Sequence, residues 1–294
     1  MWWQRRAIVV QLLMATSVAV ASEFGDLSRF YITPTPLTVI GAALAIFVGF
    51  RTNSAYDKWW EGRKLWGRMV NVSRLFAFQV LTYVQADDPS EAEEAQALAH
   101  ELLRSHRAYV HGLRVALRQQ PPEADDDLNR LLTSDERAAI VGTTNLTVAI
   151  LQTQSARLQQ AAARGWIDPL QLQSLDRSIC EMLAIQGGCE RIKKTPIPRI
   201  YAGVANILVG WLSVLLPLGL LEDLGWFAVP ITVLGTLSFH LVNETGRILD
   251  DPFNLFFNAL PLGQLSRMIE ANVLEQQGIR EHPEIPGPID GILM

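Results

Sequence analysis

This chain of 294 residues is short of cysteine, of concentrated positive charge and of alternating polar and apolar residues. It has two cysteines, Cys180 and Cys189, nine residues apart. Without nearby histidine they are too few for a zinc set, so buried free thiols are expected. The net charge is -5, and residues 52–199 hold 18 basic and 18 acidic side chains against 3 basic and 8 acidic in residues 244–294. A nucleic-acid surface needs a concentrated basic patch, so nucleic acid is not expected as a partner. No serine-histidine-acid set, phosphate-cradling glycine loop or paired-carboxylate motif is present, which leaves an enzyme without visible chemistry. His100, His106 and His111 fall in one segment, but separations of six and five residues turn them to different azimuths, and no joint metal site is expected from them. No cofactor is implied.

Charge is missing altogether from four stretches, residues 7–22, 30–50, 200–221 and 224–243. A bilayer core takes roughly 20 predominantly apolar residues per helix, so the chain reads as a multi-pass membrane protein. Arg5 and Arg6 precede the first stretch, Arg51, Lys58, Arg63 and Lys64 follow the second, and Arg191, Lys193, Lys194 and Arg199 precede the third. The two short connections carry Glu23, Asp26 and Arg29, and Glu222 and Asp223. The excess of positive charge on one side puts both termini and the middle segment in the cytoplasm, where a disulfide is disfavoured. The expected organisation is membrane helices 1 and 2 in 1–51, a cytoplasmic body in 52–199, membrane helices 3 and 4 in 200–243 and a cytoplasmic tail in 244–294. The first stretch has an alternative as a secretory signal cleaved after Ala19-Val20-Ala21, which would leave three spans.

The body has helix-forming composition and almost no β-branched alternation. Trp59, Trp66, Val70 and Phe76 to Phe78 recur at near-helical spacing without a proline, which predicts that the second membrane helix continues as one long rod. Further helices are predicted over 91–117, from Ser134 toward Ala163, and from Pro169 to Gly187-Gly188, where glycines terminate naturally. The acidic run Glu123 to Asp127 is expected to be a solvated loop.

In the second stretch Ala42, Ile46 and Phe50 recur at i, i+4 and i+8, which sets them on one helical face. Several copies around an axis would stack such residues into apolar rings that gate by the cost of wetting; the alternative is ordinary packing against another helix. Asp57, seven residues after Phe50, falls on nearly the same face and is the candidate influence on selectivity, with Lys58 adjacent.

The run Phe47-Val48-Gly49-Phe50-Arg51-Thr52-Asn53-Ser54-Ala55-Tyr56-Asp57-Lys58-Trp59-Trp60-Glu61-Gly62-Arg63-Lys64-Leu65-Trp66-Gly67 resembles the signature of bacterial bestrophin-family proteins. Further matches are Gly188-Cys189-Glu190-Arg191-Ile192 with Thr195-Pro196-Ile197-Pro198, Leu215-Leu216-Pro217-Leu218-Gly219-Leu220, Asp251-Pro252-Phe253 and Asn258-Ala259-Leu260-Pro261-Leu262. The resemblance implies an all-α pentameric ion channel of the bacterial inner membrane, with four transmembrane helices per subunit, a large helical cytoplasmic body and contact with the lipid bilayer. It further implies a pore neck at Ala42, Ile46 and Phe50 and a cytoplasmic constriction at Leu170. The chain departs at Ala42, where the family carries a larger residue, and at Thr245 to Asp251, which lack the dense acidic run of the animal calcium clasp. Passive passage of small monovalent ions is the expected function, with chloride or another anion first and sodium as the alternative. A non-conducting membrane scaffold is the reading from another class.

Overall fold

The computed structural model describes residues 5–25, 31–140, 143–256 and 258–287, which are helical with no strand among them. The connection holding Asp26 and Arg29, and the two chain ends, fall outside the described residues. The α-helices are α1 (Arg5–Phe24), α2 (Pro34–Tyr83), α3 (Ala92–Leu117), α4 (Asp126–Asn129), α5 (Ser134–Ile140), α6 (Leu146–Ala163), α7 (Pro169–Lys194), α8 (Arg199–Leu224), α9 (Ala228–Leu249) and α10 (Leu262–Gln276). They form two compact units, one of Met1–Lys58 with Pro196–Asp251, the other of Trp59–Thr195 with Pro252–Met294.

The first unit contains α1, the opening part of α2, α8 and α9. Thr35–Tyr83 and Gly203–Leu249 are long and apolar enough to cross a membrane, and Ile8–Phe24 is a shorter apolar helix. Small residues let these helices approach: Ala15 and Ala19 of α1 are buried with Leu221, Ala228 and Val229, and Leu44 and Val48 of α2 with Ala205, Val209 and Leu212 of α8. Close approach through small side chains is how helices associate where lipid leaves little hydrophobic driving force between them.

The second unit has a bulky hydrophobic core. Trp66, Met69 and Phe76 of α2 pack with Leu102, Leu103 and Tyr109 of α3, Leu175 and Met182 of α7, and Ile269 and Val273 of α10. The rod expected from the sequence is present, because α2 has no proline after Pro36 and holds one register to Tyr83. Three expectations are corrected. The helix foreseen from Ser134 to Ala163 is two helices, α5 and α6, and Asn145 caps the second by accepting from Val148 N at 3.2 Å. Gly187 and Gly188 do not end α7; a Cβ on Gly188 would stand 3.0 Å from Leu65 Cδ1, so there the glycine serves close packing on α2. Of the two thiols only Cys189 is buried, and burial raises its pKa to about 12, whereas Cys180 is exposed.

The run Glu123 to Asp127 is not simply a solvated loop either. Asp125 caps α4 and accepts both bonds from Arg114 Nη2 at 2.7 and 2.8 Å, and Asp127 accepts from Arg267 Nε at 3.0 Å. Beside them the fully buried Glu270 of α10 meets His111 Nε2 at 2.9 Å and Arg130 Nη1 at 2.7 Å. Burial alone would raise the Glu270 carboxyl pKa, but these bonds outweigh it and lower the value to about 2. His111, Asp125 and Asp127 converge within 4.8 Å of one another, but Arg114 and Arg267 already supply the positive charge a cation would bring.

His106 lies fully buried between Phe76 and Tyr109, with neither ring nitrogen hydrogen-bonded. Burial, with Arg107 nearby, lowers its pKa from 6.5 to about 3. Below pH 6.5 the unfolded chain binds a proton that the folded chain refuses. Stability present above that pH therefore falls as pH drops toward 3, by about 1.4 kcal/mol per unit. Denaturant unfolding between about pH 7 and pH 5 should show this slope, and His106→Leu should flatten it; an equal slope in the variant would assign the titration to another group.

Candidate functional site

In the first unit α2 has one buried and one open face. Leu44, Val48, Arg51 and Ala55 are turned into the packing, while Ala42, Ile46 and Phe50 are exposed, the last two at 62% and 70%. A helical period of 3.6 brings 42, 46 and 50 to one side, so the three neck candidates share a face that no other described part of the unit covers. Asp57, almost two turns beyond Phe50, is also exposed. The site therefore offers one small, one branched and one aromatic side chain in a column with a carboxylate following. Beside that single exposed carboxylate its described residues bring no convergent polar set together.

The α2 segment beyond Phe50 is fixed to α9 and α8 by a polar cluster that periodicity did not reveal. Arg51 donates to the side chain of Asn243 and at 3.3 Å to its backbone oxygen; Asn243 Nδ2 donates to Asn206 Oδ1 at 2.7 Å. Lys58 pairs with Asp250 at 2.6 Å, and Asp250 also accepts from Ile197 N at 3.1 Å. Gly246 makes the approach possible, since a Cβ there would meet Thr52 Oγ1 at 3.2 Å. A lone arginine at the end of one apolar run and an asparagine at the end of another were the available signals, but their pairing is tertiary.

Leu170 belongs to the second unit and is 78% exposed. Asp168 caps α7 by accepting from Leu170 N at 2.7 Å and Gln171 N at 2.8 Å, and Asp168 N donates in turn to Gln171 Oε1 at 3.0 Å. This capping box leaves Leu170 in the first turn with its side chain uncovered. In the same unit the downstream motif blocks meet: Trp59 Nε1 donates to Asn258 O at 3.0 Å, and Leu260 N to Pro252 O at 2.8 Å, with Phe253 fully buried.

Residues 5–275 match the family of bacterial and fungal bestrophin proteins. A voltage-dependent anion channel-forming protein of Mesorhizobium japonicum is 34% identical over 253 residues, 86% of this chain and 77% of that protein. The voltage-dependent anion channel-forming protein YneE of Escherichia coli is 30% identical over 257 residues, 87% and 80% of the two chains. The crystal structure of a bacterial bestrophin homolog from Klebsiella pneumoniae superposes with a TM-score of 0.85 at 26% identity, covering 94% of this chain and 98% of that one.

The open face carries little folding energy if it is not core. Ile46→Ala with Phe50→Ala should leave the unfolding free energy in detergent within about 0.5 kcal/mol of the parent, whereas Leu44→Ala should cost about 2 to 5 kcal/mol. Equal losses in both would mean that Ile46 and Phe50 are packing residues.

Proposed function

The chain belongs to the bacterial and fungal bestrophin family, and from that premise we propose that it is a homopentameric channel conducting small monovalent ions through the bacterial inner membrane. The observation that carries this is the uncovered apolar column Ala42, Ile46 and Phe50 on a helix long enough to span the bilayer. Five copies around an axis cover that column and turn it into rings. A ring of phenylalanine above water-filled space imposes a wetting cost on any ion, so passage is passive and no covalent chemistry takes place. Four spans, with both termini and the second unit in the cytoplasm, follow from the charge asymmetry of the loops. The packing of Ala15 and Ala19 into the first unit favours a retained first span over a cleaved signal.

Anions are the favoured cargo, in keeping with the names of the relatives; sodium is the alternative, favoured by the exposed carboxylate of Asp57. Leu170, uncovered at the start of α7, forms the cytoplasmic constriction of the assembly.

Native mass measurement in mild detergent is expected to give five subunits, and the protein in liposomes under a sodium chloride gradient to give a reversal potential of the sign set by chloride. A stable monomer without flux would sink the channel. The sign set by sodium would overturn the choice of ion and leave the channel in place.

Asp57→Asn should move the reversal potential toward anions, with a smaller shift at high salt because an exposed charge is screened within about 8 to 10 Å. Leu170→Ala should change conductance or ion preference with assembly intact. Unmoved currents and ratios would remove the residue concerned from the conduction path.

A further inference from the structure

The first unit buries one guanidinium whose described hydrogen bonds go only to neutral oxygens. Arg51 follows Phe50 directly, turned by about 100° into the helix packing, and is only 7% exposed. Its hydrogen bonds go to the amide and backbone oxygens of Asn243, which is itself held by Asn206, so its acceptors are neutral. Its Nε is buried without a hydrogen-bond partner. The charged side chains that act on it are Asp250, Glu244 and Arg247. Each of the two carboxylates is matched by another cation: Lys58 on Asp250 at 2.6 Å and Arg247 Nε on Glu244 at 2.6 Å. Of these three cations Arg51 is the one whose described hydrogen bonds reach no carboxylate.

A buried guanidinium facing only amides is less stable than one facing a carboxylate. An ionisable residue at the edge of an apolar membrane helix marks an ion pathway by default. At position 243 a carboxylate would offer Arg51 the same acceptor oxygen and cancel its charge; the amide offers the oxygen and leaves the charge standing.

We propose that Arg51, positioned by Asn243 and Asn206, is a fixed positive charge that raises the potential beside Phe50 and biases permeation toward anions. This rests on the channel function proposed above. Surrounded by protein, the charge acts through a lower dielectric than water and is screened less by salt than the exposed Asp57. Five copies around one axis add their fields. Arg51 does not need to touch the ion, since it acts on the potential along the path.

The test uses the full-length protein in liposomes under a sodium chloride gradient, with the chloride-to-sodium permeability ratio taken from the reversal potential at low and high salt. Arg51→Gln should lower that ratio roughly threefold or more, with most of the change kept at high salt, and Arg51→Lys should retain the parent ratio. Asn243→Asp keeps the guanidinium and its acceptor oxygen while cancelling the charge, so it reports even if Arg51→Gln fails to assemble. It should shift the ratio in the same direction, whatever ratio the unmodified protein starts from. A purely structural Arg51 predicts an unmoved ratio in an assembled, conducting Asn243→Asp channel, and that result overturns the inference. Absence of current from the unmodified protein strikes instead at the channel function.

Discussion

The unbroken hydrogen-bond ladder of α2 is the constraint on which the rest of the structure depends. In the apolar part of the helix no water is at hand to satisfy a freed N–H or C=O, so every turn must be bonded internally. The same ladder runs on to Tyr83. A continuous helix has one register, so the burial of Leu44, Val48, Arg51 and Ala55 obliges Ala42, Ile46 and Phe50 to the other side. Inserting a single residue would rotate everything beyond it by about 100°. The packed and open faces would then exchange part of their side chains, and Arg51 would leave its amide partners.

Each unit is held together internally by its own means, and the proposed placement of the first in lipid and the second in water accounts for the difference. In the first unit the apolar side chains gain little by leaving lipid for each other, so small residues at the contacts and a few polar links carry the association. Ser22 and Tyr31 share a hydrogen bond of 2.5 Å, and Arg51, Asn243 and Asn206 tie three helices. The second unit has the hydrophobic effect at its disposal and buries Trp66, Phe76 and Tyr109 in one core. Its charged cluster around Glu270 fastens the tail helix. Removing one partner from such a buried cluster costs about 3 to 5 kcal/mol, so α10 is held by charge as well as by packing.

What was legible in the sequence is what depends on neighbours along one helix. The apolar runs, the long α2, the start of α7 at Pro169 and the shared face of Ala42, Ile46 and Phe50 all follow from spacing. What was not legible depends on what packs from elsewhere in the chain. Gly188 is read locally as a terminator, but Leu65 needs the space and the helix continues to Lys194. Asp125 and Asp127 read as solvated because the arginines that pair with them, Arg114 and Arg267, come from other helices. The Arg51 and Asn243 pair joins positions 192 residues apart, a separation no periodicity can bridge. The family motifs were legible as motifs, yet their physical meaning is partly architectural: the Asp-Pro-Phe and Leu-Pro blocks close on each other, and Asn258 receives the Trp59 indole.

An apolar constriction and a charge divide the work of a selective pore. In the proposed pore the wetting cost at Ile46 and Phe50 would fall on an ion of either sign, because what the ion loses there is water. The sign must come from fixed charges, and an exposed one such as Asp57 is held to short range by salt. A charge inside the protein reaches further but costs stability unless it is paired. Places where a protein leaves a buried charge unpaired are therefore the ones where function outweighs the local rule. In this chain that place is Arg51, one residue from the aromatic end of the apolar column and facing amides where carboxylates would have been more stabilising.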